Sequence, residues 1–269
     1  MSNKLKVSFS ALSTYESCPR QYYYNYILKL PKFDKPWFVF GNFNHTILEK
    51  FFRILLYCRK KNIEFDKKEI MYKSFVSALK KYNNLADKGI KLRLSPAQLK
   101  ETKGIIKKFF ARIEKEMPDV LYVEKEFTID IAENIVLRGF IDRIDRVPGE
   151  DNAFRVVDYK TSKKSYDIDK NDQLDIYAIG LKQSHPTAAK IYKQLDFIKL
   201  NKQTDPNHAH NQDREDEVLS KVKAASIEIQ KKIEVDGENL TAWKPIENDF
   251  CWACDFKDQC DKDRGLSFL

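Results

Sequence analysis

The stretch that most constrains this chain runs from Gly139 to Lys160. Gly139-Phe140-Ile141-Asp142-Arg143-Ile144-Asp145 is one β-like run, Pro148-Gly149 breaks the chain, and Phe154-Arg155-Val156-Val157-Asp158-Tyr159-Lys160-Thr161 is a second. Each run carries an acid toward its end, and the second acid has a lysine two positions later. Residues two apart in a strand share a face, so Asp158 and Lys160 point the same way. A bend or bulge is expected to bring Asp142 beside them. Two carboxylates and an ammonium in one place suit Mg²⁺-assisted attack on a phosphodiester: the acids hold a hard cation through oxygen, and the lysine steadies developing negative charge or the attacking water. Charge alternation on a solvated strand face produces the same triplet. An exposed hairpin therefore stands beside the chemical reading, and the rest of the chain has to decide between them.

Five cysteines supply the next constraint. Cys251, Cys254 and Cys260 form C-x₂-C-x₅-C near the C-terminus, Cys18 stands near the N-terminus, and Cys58 is left over. In a cytosolic chain, clustered cysteines read as metal ligands before disulfides. A cytoplasmic home is the expectation here (the host cytoplasm for a phage-encoded chain), because Met1-Ser2-Asn3-Lys4-Leu5-Lys6 lacks the apolar core of a signal peptide and no apolar run approaches membrane-spanning length. A hydrophobic content of 42% with 33% charged residues fits a globular protein rather than a disordered one. The formal charge of +8 favours a polyanionic partner, weakly, since the excess is spread over 48 basic residues. Neither a Walker A loop nor Gly-x-Gly-x-x-Gly is present, so no nucleotide cofactor is expected.

Read in order, the chain begins with a helix to about Ile27, capped by Ser10 or Ser13 and interrupted at Cys18-Pro19. Its tyrosines Tyr15, Tyr22, Tyr23, Tyr24 and Tyr26, with Arg20 and Lys29, are able to stack bases, but such a set more often forms a buried seam with wet hydroxyls. Leu30 to Pro36 reads as a loop, and Phe40 to Lys61 as an amphipathic helix on which His45 and Glu49 lie four apart on one side. A lone histidine is usually structural. Helices are expected from Asp66 to Asp87 and from Pro96 to Glu116. The period then changes: Val120 to Ile131, Ile135 to Val147 and Ala153 to Thr161 read as three strands, with Glu124 as a further acid to watch. Asn171 to Gln183 is helical and sets Gln173 and Tyr177 four apart; Ile191 to Leu200 is a strand. Asn201 to Gln212 reads as a mobile polar loop with His208 and His210 solvated, before a helix from Asp213 to Val235. One domain over residues 1–269 is the simplest division: a helical part at about 10–117, a core at about 118–200, and a C-terminal helix and cysteine tail at about 213–269.

Helix, three strands, helix, strand, with acids on the second and third strands, resembles the αβββαβ core of the restriction-endonuclease-like fold. The residues carrying the resemblance are Ser8-Phe9-Ser10, Tyr15, Cys18-Pro19 and Tyr22; Gly41 and His45; Gly139 with Asp142-Arg143-Ile144-Asp145; Asp158-Tyr159-Lys160-Thr161; Gln173 and Tyr177; and Cys251, Cys254 and Cys260. In that order they resemble the PD-(D/E)XK nuclease superfamily, and within it the RecB-like branch, which includes the nuclease domains of RecB, AddA and AddB and the small CRISPR-associated RecB-like exonucleases. The resemblance implies an α/β fold with a mixed sheet, an N-terminal helical insertion and a C-terminal cysteine-bound metal cluster. It implies Asp142 and Asp158, with the Tyr159 carbonyl, as ligands of Mg²⁺ or Mn²⁺. His45 would support a second metal position or the water-filled pocket around it, and Lys160 would be the catalytic lysine, oriented by Gln173 and Tyr177, which also contact the substrate strand. Asp145 is expected to be structural, and Cys58 a buried free thiol.

The resemblance also matches Cys18, Cys251, Cys254 and Cys260 to [4Fe–4S] ligands. Four thiolates suit structural Zn²⁺ equally, and the chemistry of the residues alone favours zinc, whose sites are common; the separation of Cys18 from the others by more than 230 residues is what the resemblance to the iron–sulfur branch implies. The implied activity is a metal-dependent deoxyribonuclease, an exonuclease before an endonuclease, on single-stranded or end-opened DNA in repair, recombination or CRISPR or phage DNA processing. No helicase motor is in the chain, so a helicase, CRISPR or recombination partner would do any unwinding; no membrane partner is expected. The competing expectation is a catalytically silent module that grips DNA ends or a partner.

Overall fold

A computed structural model of the chain describes residues 4–237 and 239–266. Residues 1–3, which open the stretch read above for a signal segment, lie outside the described residues, as do 238 and 267–269. In chain order the elements are β1 (Leu5–Val7), α1 (Phe9–Ser17), α2 (Pro19–Tyr22) running into a π-helical turn (Tyr23–Ile27), α3 (Pro36–Lys61), α4 (Lys67–Asp87) and α5 (Pro96–Lys115). There follow β2 (Asp119–Ala132), β3 (Ile135–Arg146), β4 (Ala153–Lys160), α6 (Asp172–Ser184), β5 (Lys190–Phe197), β6 (Lys202–Gln203), α7 (Gln212–Val235) and α8 (Lys257–Asp263). Among the described residues, no helix is long and apolar enough to cross a membrane.

Local chemistry sets the boundaries. Ser8, rather than Ser10 or Ser13, caps α1 by accepting from the Ala11 N–H at 3.2 Å. Cys18 is extended and Pro19 opens α2 at a position where its missing N–H costs nothing. The same device starts α3 at Pro36, a turn earlier than the periodicity of the apolar residues predicts. That helix ends on Asn62, whose left-handed backbone (φ 52°) closes its last turn. Ser95 and Gln98 form a reciprocal capping box at the start of α5.

The chain packs as two compact units: Met1–Phe33, Thr128–Gly139 and Asp213–Leu269 form one, and Asp34–Phe127 and Phe140–Gln212 the other. In the first, β1 pairs in parallel with the start of β3, Leu5 opposite Ile135. Trp243 is fully buried there and stacks on Tyr22 and Tyr23, at ring separations of 5.8 and 5.6 Å. Tyr15 and Tyr24 send their hydroxyls to Glu228 and Asp263. Four of the five tyrosines, Tyr15, Tyr22, Tyr23 and Tyr24, are thus a buried seam rather than a base-stacking surface.

In the second unit, β3 runs antiparallel to β4 with Arg143 opposite Val157, β4 runs parallel to β5 with Asp158 opposite Leu195, and β5 pairs antiparallel with β6. The sheet is therefore mixed, as the resemblance implies. Phe43, Ile47, Phe51 and Leu55 recur at helical spacing on α3 and are buried against α4, α5 and the Val157 and Tyr159 side chains of β4. α6 lies on the Lys160 side of the sheet, and a Cβ on its Gly180 would stand 2.5 Å from the Phe127 ring, so only glycine lets the helix approach this closely.

The 201–212 segment is not a mobile loop. β6 and a bridge between Tyr192 and Ala209 extend the sheet edge, and β5 ends at Phe197 rather than Leu200. His210 is buried, with Nδ1 3.2 Å from Asp175 Oδ1, which also receives the buried Lys193 Nζ at 2.6 Å. His208 Nε2 stands 2.9 Å from Asp169. Neither histidine is simply solvated: a buried lysine requires its carboxylate, and that carboxylate recruits His210.

Candidate active site

The antiparallel register of β3 and β4, with Arg143 opposite Val157, brings Asp142 beside Asp158, so no bend or bulge is needed. Asp142 Oδ2 accepts the Tyr159 backbone N–H at 2.9 Å, which locks the end of one strand to the other. Both carboxyls are buried, at 9% and 2% exposure. Burial, and then the charge of Asp158, push the Asp142 carboxyl well above the usual range. Asp158 Oδ2 finds no aligned hydrogen-bond donor, although Lys160 Nζ lies 2.5 Å from it as an ion pair.

Lys160 is held from the helix side. Its Nζ donates to Gln173 Oε1 at 2.8 Å, and Gln173 Nε2 donates in turn to the Tyr177 hydroxyl at 2.8 Å. Asn171 caps α6 by accepting from Leu174 N, which sets Gln173 in the first turn and Tyr177 one turn on. Burial opposes a charge on Lys160, yet the Asp158 carboxylate raises its pKa overall, so the side chain is an ammonium. Burial, followed by the two aspartates, raises the Tyr177 phenol well above its ordinary value, so it stays protonated.

His45 arrives from α3. Its Nδ1 is 3.4 Å from Asp142 Oδ2 and its ring meets the Tyr159 ring edge-on at 5.9 Å. Burial lowers its pKa, favouring the neutral imidazole that a metal or a water requires. One turn earlier, a Cβ on Gly41 would stand 3.1 Å from Thr161 Oγ1. The Gly41-to-His45 spacing is thus a close approach of α3 to the end of β4.

The sites singled out in the sequence divide cleanly. His45, Asp142, Asp158, Tyr159, Lys160, Gln173 and Tyr177 come together. Asp145 does not join them; Arg143 clasps it with three hydrogen bonds of 2.8 to 3.1 Å and donates to the Tyr159 hydroxyl at 2.6 Å, away from the aspartates. Glu124 adopts a left-handed backbone (φ 48°) within β2, and burial, then Asp142 and Glu49, push its carboxyl up to about 7. Strain of this kind concentrates at functional sites. Tyr166 was missed: it interacts with Lys160 and accepts a long hydrogen bond from Asn171 Nδ2 at 3.5 Å. It lies between β4 and α6, where no periodicity marks it.

The metal-facing atoms between the strands are the oxygens of two buried carboxyls, and the charge of Asp158 together with burial pushes the Asp142 carboxyl above its usual range. That chemistry fits a hard divalent cation, whose charge would relieve both. The cysteines form a different donor set. Cys18, Cys251, Cys254 and Cys260 are half-buried, outside any disulfide, and all in one unit. The Ile246 and Asn248 N–H groups approach the sulfurs of Cys18 and Cys251 at 3.5 and 3.4 Å. Burial, offset in part by Arg20 and reinforced by Cys18, raises the Cys260 thiol. Thiol chemistry fits zinc or iron–sulfur. Among the described residues, however, no three His, Cys, Asp or Glu side chains are arranged as a ready metal-holding group.

Comparison with known proteins identifies the family. The chain is 26% identical over 194 residues to a subunit of an ATP-dependent helicase/deoxyribonuclease of Streptococcus pyogenes serotype M49 (strain NZ131), a match covering 68% of this chain and 17% of that protein. It is 30% identical over 179 residues to the like-named protein of Streptococcus agalactiae serotype Ia, covering 62% and 15%. The match thus spans about a sixth of these relatives' length. A solved structure from Eubacterium rectale, named as a candidate exonuclease, shares the fold with a TM-score of 0.51 at 12% identity, over 94% of this chain and 88% of that one. The PD-(D/E)XK nuclease superfamily matches residues 6–261, nearly the whole chain, and this protein belongs to that superfamily.

Proposed function

We propose that the chain is a Mg²⁺- or Mn²⁺-dependent deoxyribonuclease that degrades single-stranded or end-opened DNA from an end. The observation that carries this reading is the pair of buried carboxyls Asp142 and Asp158 with the half-buried Lys160 ammonium against them, Lys160 steered by Gln173 and Gln173 by Tyr177. A surface hairpin would leave these charges solvated; here two carboxyls are withdrawn from water against one another, which is costly unless they serve a ligand or a reaction.

Asp142 and Asp158, with the Tyr159 carbonyl, would hold the cation, and neutral His45 would stand beside Asp142. A divalent ion there supplies Lewis-acid charge toward the scissile phosphate and makes water more acidic. The rest belongs to the chain itself. The Lys160 ammonium faces the charge that develops on the phosphorus oxygens. Gln173 keeps that ammonium from collapsing wholly onto Asp158, and Tyr177 fixes which way the Gln173 amide points. The site would be read through phosphates rather than base edges, so sequence preference is slight and binding is steeply salt-dependent. By analogy with the helicase/deoxyribonuclease relatives, a helicase or another DNA-processing partner would present the strand.

The four cysteines would take a thiolate-bound metal in the same reading, a [4Fe–4S] cluster in preference to zinc. Their shared unit and the absence of disulfides among them support it, and binding would have to draw the sulfurs together.

The test is degradation of end-labelled single-stranded DNA by anaerobically purified protein with Mg²⁺ or Mn²⁺, beside Lys160→Ala and Asp158→Asn. Each variant is expected to lose at least about a hundredfold in rate, the scale of removing one charge-stabilising group, while still binding DNA. Intact DNA with wild-type protein on every substrate would leave a binding module, not an enzyme.

A further inference from the structure

Two large aromatic side chains open α3 outside the core. Trp37 and Phe38 are 53% and 60% exposed, with ring centroids 6.3 Å apart and planes 41° from each other. Elsewhere on this helix the large apolar residues are mostly buried, so leaving these two in water is a cost without a folding reason. The backbone beneath them is nonetheless well fixed. Gln98 Nε2 donates to the Pro36 carbonyl at 2.9 Å, and Asp34 accepts the Leu92 N–H at 2.9 Å while pairing with Lys91 at 3.6 Å. That anchor sets Ile90 and Leu92, 59% and 43% exposed, on the same anchored segment.

Position on the helix connects this surface to the candidate active site. At 100° per residue, Trp37, Phe38, Gly41 and His45 fall within an arc of about 100°, and His45 lies about 12 Å further along the axis than Trp37. Gly41 touches Thr161 and His45 touches Asp142. The exposed rings are therefore on the side of α3 that enters the site, two turns upstream. Lys35 Nζ sits 5.8 Å over the Trp37 ring. Lys91 and Arg93 flank the connector and Lys199 Nζ lies 5.4 Å over the buried Phe40 ring; Asp34, Asp87 and Glu101 pair with these three, so four cations stand against three carboxylates.

We propose that Trp37 and Phe38 are a stacking platform for unpaired bases of the DNA strand that enters the site, and that they favour single-stranded over duplex substrate. The proposal rests on the nuclease reading for the strand's destination. Rings with cations beside them match a polymer that alternates π-faces with phosphates. A duplex keeps its base faces stacked inside and cannot use the rings. A protein or lipid partner would use the apolar rings without distinguishing bases from their absence.

The experiment measures fluorescence anisotropy of labelled oligo-dT, an abasic strand of equal length and a blunt duplex, in chelator, so that no cleavage intervenes. Wild type is expected to bind oligo-dT more tightly than the abasic strand. The Trp37→Ala/Phe38→Ala double variant should weaken oligo-dT by roughly ten- to a hundredfold, within the stacking range per base, and leave the abasic strand unchanged. Trp37→Tyr, which keeps a ring, should retain most of the affinity. Equal wild-type affinity for the two strands overturns the proposal without reference to any variant. So does a double variant that loses both strands equally, or neither. A base-dependent result alongside no cleavage would keep the platform and remove the enzyme.

Discussion

Glu124 shows how a single residue reports on this site. Its carboxyl is pushed up to about 7, against an ordinary 4.5, by burial first and by Asp142 and Glu49 next. The folded chain therefore holds a proton that the unfolded chain has released between these values. Its contribution to stability is complete below the unfolded value and is lost as the pH rises through the folded one. The thermal midpoint of metal-free protein is expected to fall between about pH 5 and about pH 8, and Glu124→Gln should flatten that slope. Asp142 and Asp196 are shifted in the same direction and His45 in the opposite one, so the difference between wild type and variant, not the slope of either, reports Glu124. Equal pH slopes for the two proteins would show that Glu124 ionises normally. At this scale Asp158 and Lys160 were legible, because a two-residue spacing in a strand needs no tertiary information. The meeting of His45 with Asp142 rests on the resemblance alone, since nothing local links residues so far apart. Tyr166 carried no signal at all.

At the scale of elements, α6 and β5 are joined by a buried charge, Lys193 on Asp175, with His210 as the third member. Lys193 is 1% exposed and Asp175 fully buried. Asp175→Ala strands an ammonium in the interior and is expected to cost about 3–5 kcal/mol in urea unfolding, with Asp175→Asn costing less. An unchanged unfolding midpoint for the alanine variant would mean that water reaches Lys193. This arrangement explains why the 201–212 segment misreads as a loop. Its polar residues are those of a solvated stretch, and its order comes from β6, the Ala209 bridge and a histidine buried against another element. The long strands and helices were legible from their periods. Three-residue β1 and two-residue β6 were not, because so short a run has no period to read.

At the scale of the molecule, the N-terminal helices α1 and α2 and the segment from α7 to α8 belong to one compact unit, as do all four clustered cysteines. Arg20 donates to the Trp243 carbonyl at 2.6 Å and to the Leu240 carbonyl at 3.2 Å, so the chain's own bonds join α2 to the segment that precedes the cysteine tail. A thiolate-bound metal would close a loop of more than 230 residues and restrict the unfolded chain. Anaerobically prepared protein is expected to contain iron, and Cys254→Ser to lose it and to melt several degrees lower. Zinc in place of iron would change the metal but keep the staple. Equal melting of the two proteins would sink the staple itself.

The sequence by itself determined the order of the long helices and strands, the shared face of Asp158 and Lys160, and the pairing of Gln173 with Tyr177 along one helix. All of these are local periodicities, fixed by backbone geometry within a few residues. Only the tertiary structure decided that Asp142 and Asp158 are buried together and that α3 comes close enough for Gly41 to need no side chain. It also decided that the half-buried Glu124 carboxyl feels the charge of Asp142 and that Trp37 and Phe38 stay in water. Those outcomes depend on which surfaces exclude solvent from which charges, and burial is a property of the packed chain rather than of any stretch within it.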